Sequence, residues 1–316
     1  MKRFVIKVAV FTGLVLLISL LIHFVYLQNG ENKSSNDYLS AIEDKHCRLQ
    51  KIDSCHNRII FAGGSNLAFG INSKSVQDSI GIPVVNLSLH AGLGLDFILN
   101  ELYDVVRDGD IVVLSVEYNI SKKGDYELQN FLYEQYPAIK QYIPNFYYSR
   151  LLRNVDIFQD ELRYLVFGEE QHKQVDTVYY RDGFNDYGDV IAHLDKSAPA
   201  YLSGRVKVSD NSDELINAIN KFADRLVGRD IKLFFAFPAY SQTEYDKNRV
   251  AVDSWVSAFN RQLKVTILGN ARDFILPDSM FFDTVYHLNK MGRENRTAKI
   301  INLLKHYIKI SILQKK

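Results

Sequence analysis

Five short apolar runs separated by amphipathic segments constrain this 316-residue chain more than any other feature. They cover residues 58–62, stopped by Gly63-Gly64, then 83–88, 110–116, 231–237, ended by Pro238, and 264–268. The runs are rich in Val, Ile and Phe and do not alternate cleanly, which is the pattern of strands buried on both faces of a parallel sheet. Apolar residues recur at helical spacing between and after them. Leu95, Ile98, Leu99, Leu102 and Val106 mark one stripe, and Leu215, Ile216, Ile219, Phe222, Ala223 and Leu226 a second. A third covers 250–263, and Ile300, Ile301, Leu304 and Ile308 mark a fourth. Strands alternating with such helices predict right-handed crossovers and a three-layer, doubly wound α/β sheet. Ligands of such sheets bind beyond the carboxyl ends of the strands, so the loops after each strand are where chemistry is expected.

The N-terminus bears on compartment. Lys2, Arg3 and Lys7 precede a 20-residue apolar run, 8–27, interrupted by Thr12, Gly13, Ser19 and His23. A helix needs about 20 residues to cross a bilayer core. Positive charge on its leading side predicts a cytoplasmic N-terminus, with the rest of the chain periplasmic or extracellular. The run ends in Phe24-Val25-Tyr26-Leu27-Gln28, without the small residues of a cleavage site, so residues 1–28 read as an uncleaved single-pass anchor. His23 then reads as an interfacial residue. Residues 29–57 form a tether and leading segment, polar at NGENKSS, and 58–316 the folded domain. Within it, residues 120–205 lack the βα rhythm and hold ten of the nineteen tyrosines between Tyr126 and Tyr187. A loop that long needs structure of its own, so this stretch reads as an insertion or cap after the third strand.

Several function classes are disfavoured. Lys plus Arg number 38 and Asp plus Glu 37, so the basic excess of a nucleic-acid binder is missing. Gly92-Leu93-Gly94 is no dinucleotide fingerprint, because Phe97 stands where its third glycine belongs. No cofactor is expected. No metal site is expected either, since His46 and His56 beside Cys47 and Cys55 lack a ligand spacing. The two cysteines suit either a local disulfide or two free thiols.

Two features carry candidate chemistry. The first strand runs into Gly63-Gly64-Ser65-Asn66, which puts a serine in a glycine turn at a strand's carboxyl end. Far away, Asp283 and His287 precede the last helix, four residues apart, so a carboxylate can orient an imidazole that takes a proton from a hydroxyl. Each alone is also what a capping serine or a surface Asp–His pair would give.

Together they resemble the SGNH (GDSL-type) hydrolase superfamily, whose fold is flavodoxin-like. Gly64-Ser65-Asn66 matches its nucleophile block, residues 86–94 (NLSLHAGLG) its glycine block through Gly92, and Asp283 with His287 its terminal block. The resemblance spans about residues 58–310. It implies Ser65 as nucleophile, His287 as general base and Asp283 as its orienter, with the N–H groups of Ser65 and Gly92 as oxyanion donors. Two departures stand out. The family spaces its Asp and His three apart. After the third strand it supplies an asparagine donor where this chain has Ser115-Val116-Glu117-Tyr118-Asn119, and an ionised Glu117 donates nothing. Asn66, Asn119 or Tyr118 is then the replacement donor, unless Glu117 is protonated or turned away. Glu117, Tyr118, His90, Asn185 and Tyr187 are candidate substrate contacts, the last two from a Gly- and Asn-punctuated turn suited to sugars. An anchor before such a domain resembles the acyltransferase-related branch acting on alginate or teichoic acids. That layout implies an acylated glycan substrate, esterase or O-acyltransferase chemistry on acyl, chiefly acetyl, groups, and a polytopic membrane partner as acyl donor. The alternative is an inactive glycan-binding or assembly module on the same fold.

Overall fold

The computed structural model describes residues 2–28, 37–167, 177–204, 208 and 211–314, the backbone alone at 16, 19–28, 158, 160–167 and 309–314. The NGENKSS segment and the His23 side chain lie outside the described residues. In chain order the elements begin with α1 (Lys2–Gln28), α2 (Ala41–Lys51), β1 (Ile59–Gly63), α3 (Ser65–Ala68), α4 (Ser73–Ile80) and β2 (Val84–Asn86). There follow α5 (Leu95–Val105), β3 (Ile111–Ser115), α6 (Tyr126–Gln135), α7 (Phe146–Phe167), α8 (Ser212–Arg225) and β4 (Lys232–Ala236). The chain continues through β5 (Tyr240–Ser241), α9 (Gln242–Gln262), β6 (Thr266–Leu268), β7 (Ile275–Leu276) and α10 (Lys290–Gln314).

Residues 1–35 and 147–175 form one unit, and 36–146 with 176–316 the other. In the first, the described apolar side chains of α1, among them Phe4, Val8, Phe11, Val15 and Ile18, are exposed, as are Tyr147, Tyr148, Leu151 and Val155 of α7. Among the described residues, no helix is long and apolar enough to cross a membrane.

The second unit is an α/β sandwich built on a five-stranded parallel sheet in the order β2-β1-β3-β4-β6. All five expected strands are present. β1 and β3 are buried along their whole length because helices cover both faces, which removes the alternation an exposed face would impose. In register, Ile60 lies between Val85 and Val112. Helices α5, α8 and α9 pack side by side, while α4 packs against α10. The apolar stripes of α5 and α8 supply Ile98, Leu102, Ile219 and Phe222 to the core, and Trp255 of α9 stacks on Phe259 at 3.5 Å. At the opposite ends of β1 and β3 from the candidate site, Arg58 makes a two-pronged pair with Asp110 at 3.0 and 2.7 Å.

Two boundaries differ from the sequence expectation. The folded unit begins before residue 58: Tyr38, Leu39, Ile42 and Leu49 are buried, and Asp37 forms an antiparallel bridge with Tyr180. The expected insertion holds α6, α7 and short 3-10 turns, and its last part, residues 177–204, returns to the sheet unit. There Asn86 N–H donates to the Tyr187 carbonyl and Val190 N–H to that of Ala68. A second apolar cluster, with Tyr38, Phe69, Leu89, Phe97, Leu132 and Val178, joins these pieces.

Candidate active site

The order β2-β1-β3 reverses direction between β1 and β3, the place where open α/β sheets gather ligands. Ser65 follows β1 there and opens α3, with Gly64 as its N-cap. The two glycines are required by what presses on the turn. A Cβ on Gly63 would stand 1.8 Å from the Ser115 carbonyl oxygen, and one on Gly64 would stand 2.3 and 2.5 Å from the Glu117 carboxyl oxygens. Behind Ser65 the turn is clamped. Asn66 N–H donates to Glu117 Oε1 at 2.8 Å, its side-chain amide donates to the Ser115 carbonyl at 3.2 Å, and Arg296 donates to its carbonyl and Oδ1 at 2.8 and 3.1 Å.

The general-base candidate is built on the loop before α10. Phe281 and Leu288 bridge antiparallel, and Phe282 N–H donates to the His287 carbonyl at 2.8 Å. Inside this small hairpin the Thr284 hydroxyl accepts from the N–H groups of Tyr286 and His287 at 3.2 and 3.0 Å. The extra residue between Asp283 and His287 is therefore absorbed by a turn that closes on Thr284. His287 Nδ1 lies 2.9 Å from Asp283 Oδ1, and Nε2 lies 2.8 Å from Ser65 Oγ. With Nδ1–H donating to the carboxylate, Nε2 holds the lone pair that faces the serine hydroxyl. The ring is buried and stacks on Phe69 at 4.0 Å and 5°. Burial would push the Asp283 carboxyl up, but the hydrogen bond and charge of His287, with a bond from Tyr179, outweigh it and hold it below the usual carboxylate value. This arrangement can take a proton from Ser65 and store it on an imidazole whose positive charge is compensated.

Three neighbours escaped the sequence reading. Tyr179 donates its hydroxyl to Asp283 Oδ2 and sits 3.1 Å from His287 Nδ1. One tyrosine among many, in a stretch without periodicity, gives no signal of this. Phe69 likewise reads only as a core residue. Arg296 was findable: it stands four residues before Ile300, on the face of α10 that turns to the core, where an unpaired guanidinium would be untenable. His193 also lies close, but its Nε2–H donates to the Leu288 carbonyl, 2.9 Å away, between Phe69 and Phe282, and burial pushes it down to about 4. It is a neutral packing group.

Several candidate contacts lie elsewhere than expected. Tyr118 is fully buried against Tyr240 and Trp255, so it neither donates to an oxyanion nor meets substrate. The Asn66 amide is spent on Ser115 and Arg296 and is equally buried. Asn185 holds its own turn, accepting from the N–H groups of Tyr187 and Asp189 at 3.0 and 2.9 Å. Tyr187 packs under the Arg48 guanidinium, 4.5 Å from its ring, and bonds Gln77. That turn delivers a buried Asp189 to Ser73, Asn86 and Arg293 instead of presenting groups to a sugar. Gly92 N–H is occupied, donating to His90 Nδ1 at 2.9 Å. Only by rotation of the exposed His90 ring does that N–H become a free donor. Asn119 and Gly92 line one open cavity of about 540 Å³ with Ser121, Asp125, Tyr126 and Glu127.

Glu117 is turned away from solvent, 2% exposed, as a strut under the serine turn. Burial raises its carboxyl above the ordinary value, against the Asn66 N–H bond and the His287 charge. The folded chain thus holds this proton more tightly than the unfolded one. Its contribution to stability is complete below about pH 4.5 and is lost as pH rises through the folded-state value. Glu117→Gln keeps an acceptor for Asn66 N–H and has no proton to lose. Thermal unfolding scanned from about pH 4.5 to 8 should show less loss of stability with rising pH in this variant than in the parent.

Cys47 and Cys55 are both free thiols. Among the described residues, no group of three or more His, Cys, Asp or Glu is placed to hold a metal ion. No family model matches the chain, and no curated protein matches it significantly.

Proposed function

We propose that this chain is a serine esterase or O-acyltransferase of SGNH type, acting on acyl groups, acetyl foremost, of a cell-surface or exported polysaccharide. The observation that carries the reading is the hydrogen-bonded line from Ser65 Oγ through His287 to Asp283. In the reaction, Ser65 Oγ attacks the ester carbonyl as His287 Nε2 takes its proton. Collapse of the tetrahedral intermediate breaks the ester bond, and the leaving sugar oxygen takes that proton back from His287. Water or a second sugar hydroxyl, deprotonated by His287, then releases the acyl group from Ser65. The oxyanion donors in this scheme are the Ser65 N–H, at the first position of α3 where no side chain caps the helix, and the Gly92 N–H after His90 turns, with the Asn119 amide beside Gly92 in the same cavity.

The N-terminal anchor belongs to the same proposal. Its support is the lysine-and-arginine flank and a helix whose described apolar side chains are exposed on all sides, which suits hydrocarbon better than water. In this setting the domain faces outward, and a transferase would draw its acyl donor from a polytopic membrane partner.

The second reading, an inactive glycan-binding module, is favoured by two observations: Gly92 N–H is already taken, and Glu117 replaces the asparagine donor. Labelling of the full-length chain with a fluorophosphonate separates the two. The acyl-serine reading expects labelling that disappears in Ser65→Ala. An unlabelled parent chain that binds glycan points to the module.

A further inference from the structure

We infer that Tyr179 is a positioning residue for the Ser65–His287–Asp283 line, a phenol carried in by the insertion to fix the rotation of the Asp283 carboxylate. The inference rests on the acyl-serine reading above and adds a fourth side chain to it.

Asp283 Oδ1 faces His287 Nδ1 at 2.9 Å, and the phenol hydroxyl donates to the other carboxylate oxygen, Oδ2. The phenol oxygen itself lies 3.1 Å from the same Nδ1. One group therefore spans both members of the pair. Asp283 sits in a hairpin turn and is only part-buried, so a carboxylate held through a single oxygen would be free to swing about its χ2 torsion. A donor on the second oxygen removes that freedom, keeps Oδ1 aimed at Nδ1, and thereby keeps Nε2 aimed at Ser65.

Tyr179 is itself held between two rings. Its ring packs against Tyr38 and against Phe69, each at 5.6 Å, and Phe69 is the ring on which His287 stacks. The neighbouring Tyr180 bridges Asp37, and Tyr38 is fixed by its hydroxyl bond to the Leu89 carbonyl at 2.8 Å. The leading segment, the insertion and the loop before α10 thus meet at one phenol.

A structural role alone would not alter the protonation of the pair, and this one should. The titratable groups facing His287 are Asp283, Glu117, His90 and His193, while Tyr38 and His193 face Asp283. All remain when only the Tyr179 hydroxyl is removed. Tyr179→Phe takes away a bond that favours the charged carboxylate, so the acid-side fall in activity should move to higher pH.

The experiment uses the full-length chain with p-nitrophenyl acetate as substrate. Tyr179→Phe should lower kcat about ten- to hundredfold, change KM less than about twofold, and shift the acid limb upward. A fluorinated tyrosine at position 179, a stronger donor of nearly the same shape, should shift the limb downward. Tyr142→Phe, which removes a phenol bonded to Asp104 instead of to the pair, should leave the limb where the parent has it. An active Tyr179→Phe chain with parental kcat, or a lowered kcat with an unmoved acid limb in both 179 variants, overturns the role of Tyr179 alone. A parent chain without Ser65-dependent hydrolysis overturns the acyl-serine reading and this inference together.

Discussion

Ser65→Ala, His287→Ala and the chain carrying both changes should hydrolyse p-nitrophenyl acetate at one common residual rate, at least about 10³–10⁴-fold below the parent. The expectation of equality is the sharper part. A nucleophile and its base act as a unit, so removing the second after the first costs nothing more. The 2.8 Å contact between Ser65 Oγ and His287 Nε2 is what makes them one unit here. Two separate residues that merely lined a binding surface would give additive losses. A double variant clearly slower than either single one would argue against the shared proton, even if both singles were impaired. Residual activity should remain in all three, from the oxyanion donors and substrate binding alone.

The second large effect is on folding. Arg296→Met should destabilise the chain by about 3–5 kcal/mol, read as a lowered midpoint of urea unfolding. The guanidinium is fully buried and donates to four acceptors: the Asn66 carbonyl at 2.8 Å, Asn66 Oδ1 at 3.1 Å, Ser115 Oγ at 3.0 Å and the Phe237 carbonyl at 3.3 Å. Methionine fills much of the volume and satisfies none of them, which leaves buried polar groups without partners. Arg296→Lys should recover only part of the loss, because a point-like ammonium cannot reproduce the planar fork. Since the clamped residue follows Ser65 directly, fluorophosphonate labelling should slow in these variants even under conditions where they remain folded. Labelling at the parental rate would show that α3 holds the serine without this clamp.

The contrast between these sites explains what could be read in the sequence. Strands β1 and β3 were legible because burial on both faces enforces continuous runs such as Ile59-Ile60-Phe61-Ala62. Helices α5 and α8 were legible because a single buried face enforces a 3.6-residue period. Ser65, Asp283 and His287 stood out because glycines and short spacings surround them. Tyr179 did not, because its partners lie 104 and 108 residues away and no local rule selects it. Asn185 and Tyr187 were misplaced for a related reason. A turn rich in Asn, Asp and Gly looks the same whether it offers its polar groups to a ligand or, as here, to Ser73, Asn86 and Arg293. Glu117 shows the same limit at a strand end: composition reveals a carboxyl group, but only packing reveals that it faces inward.

The line from Ser65 to His287 spans 222 residues of sequence, and the phenol that braces it comes from a third region between them. A growing polypeptide can therefore lay down its sheet strand by strand while staying chemically inert. Under the proposed reading, fragments left by interrupted synthesis or by clipping before residue 283 carry a serine with nothing to activate it, so incomplete copies cannot cut esters.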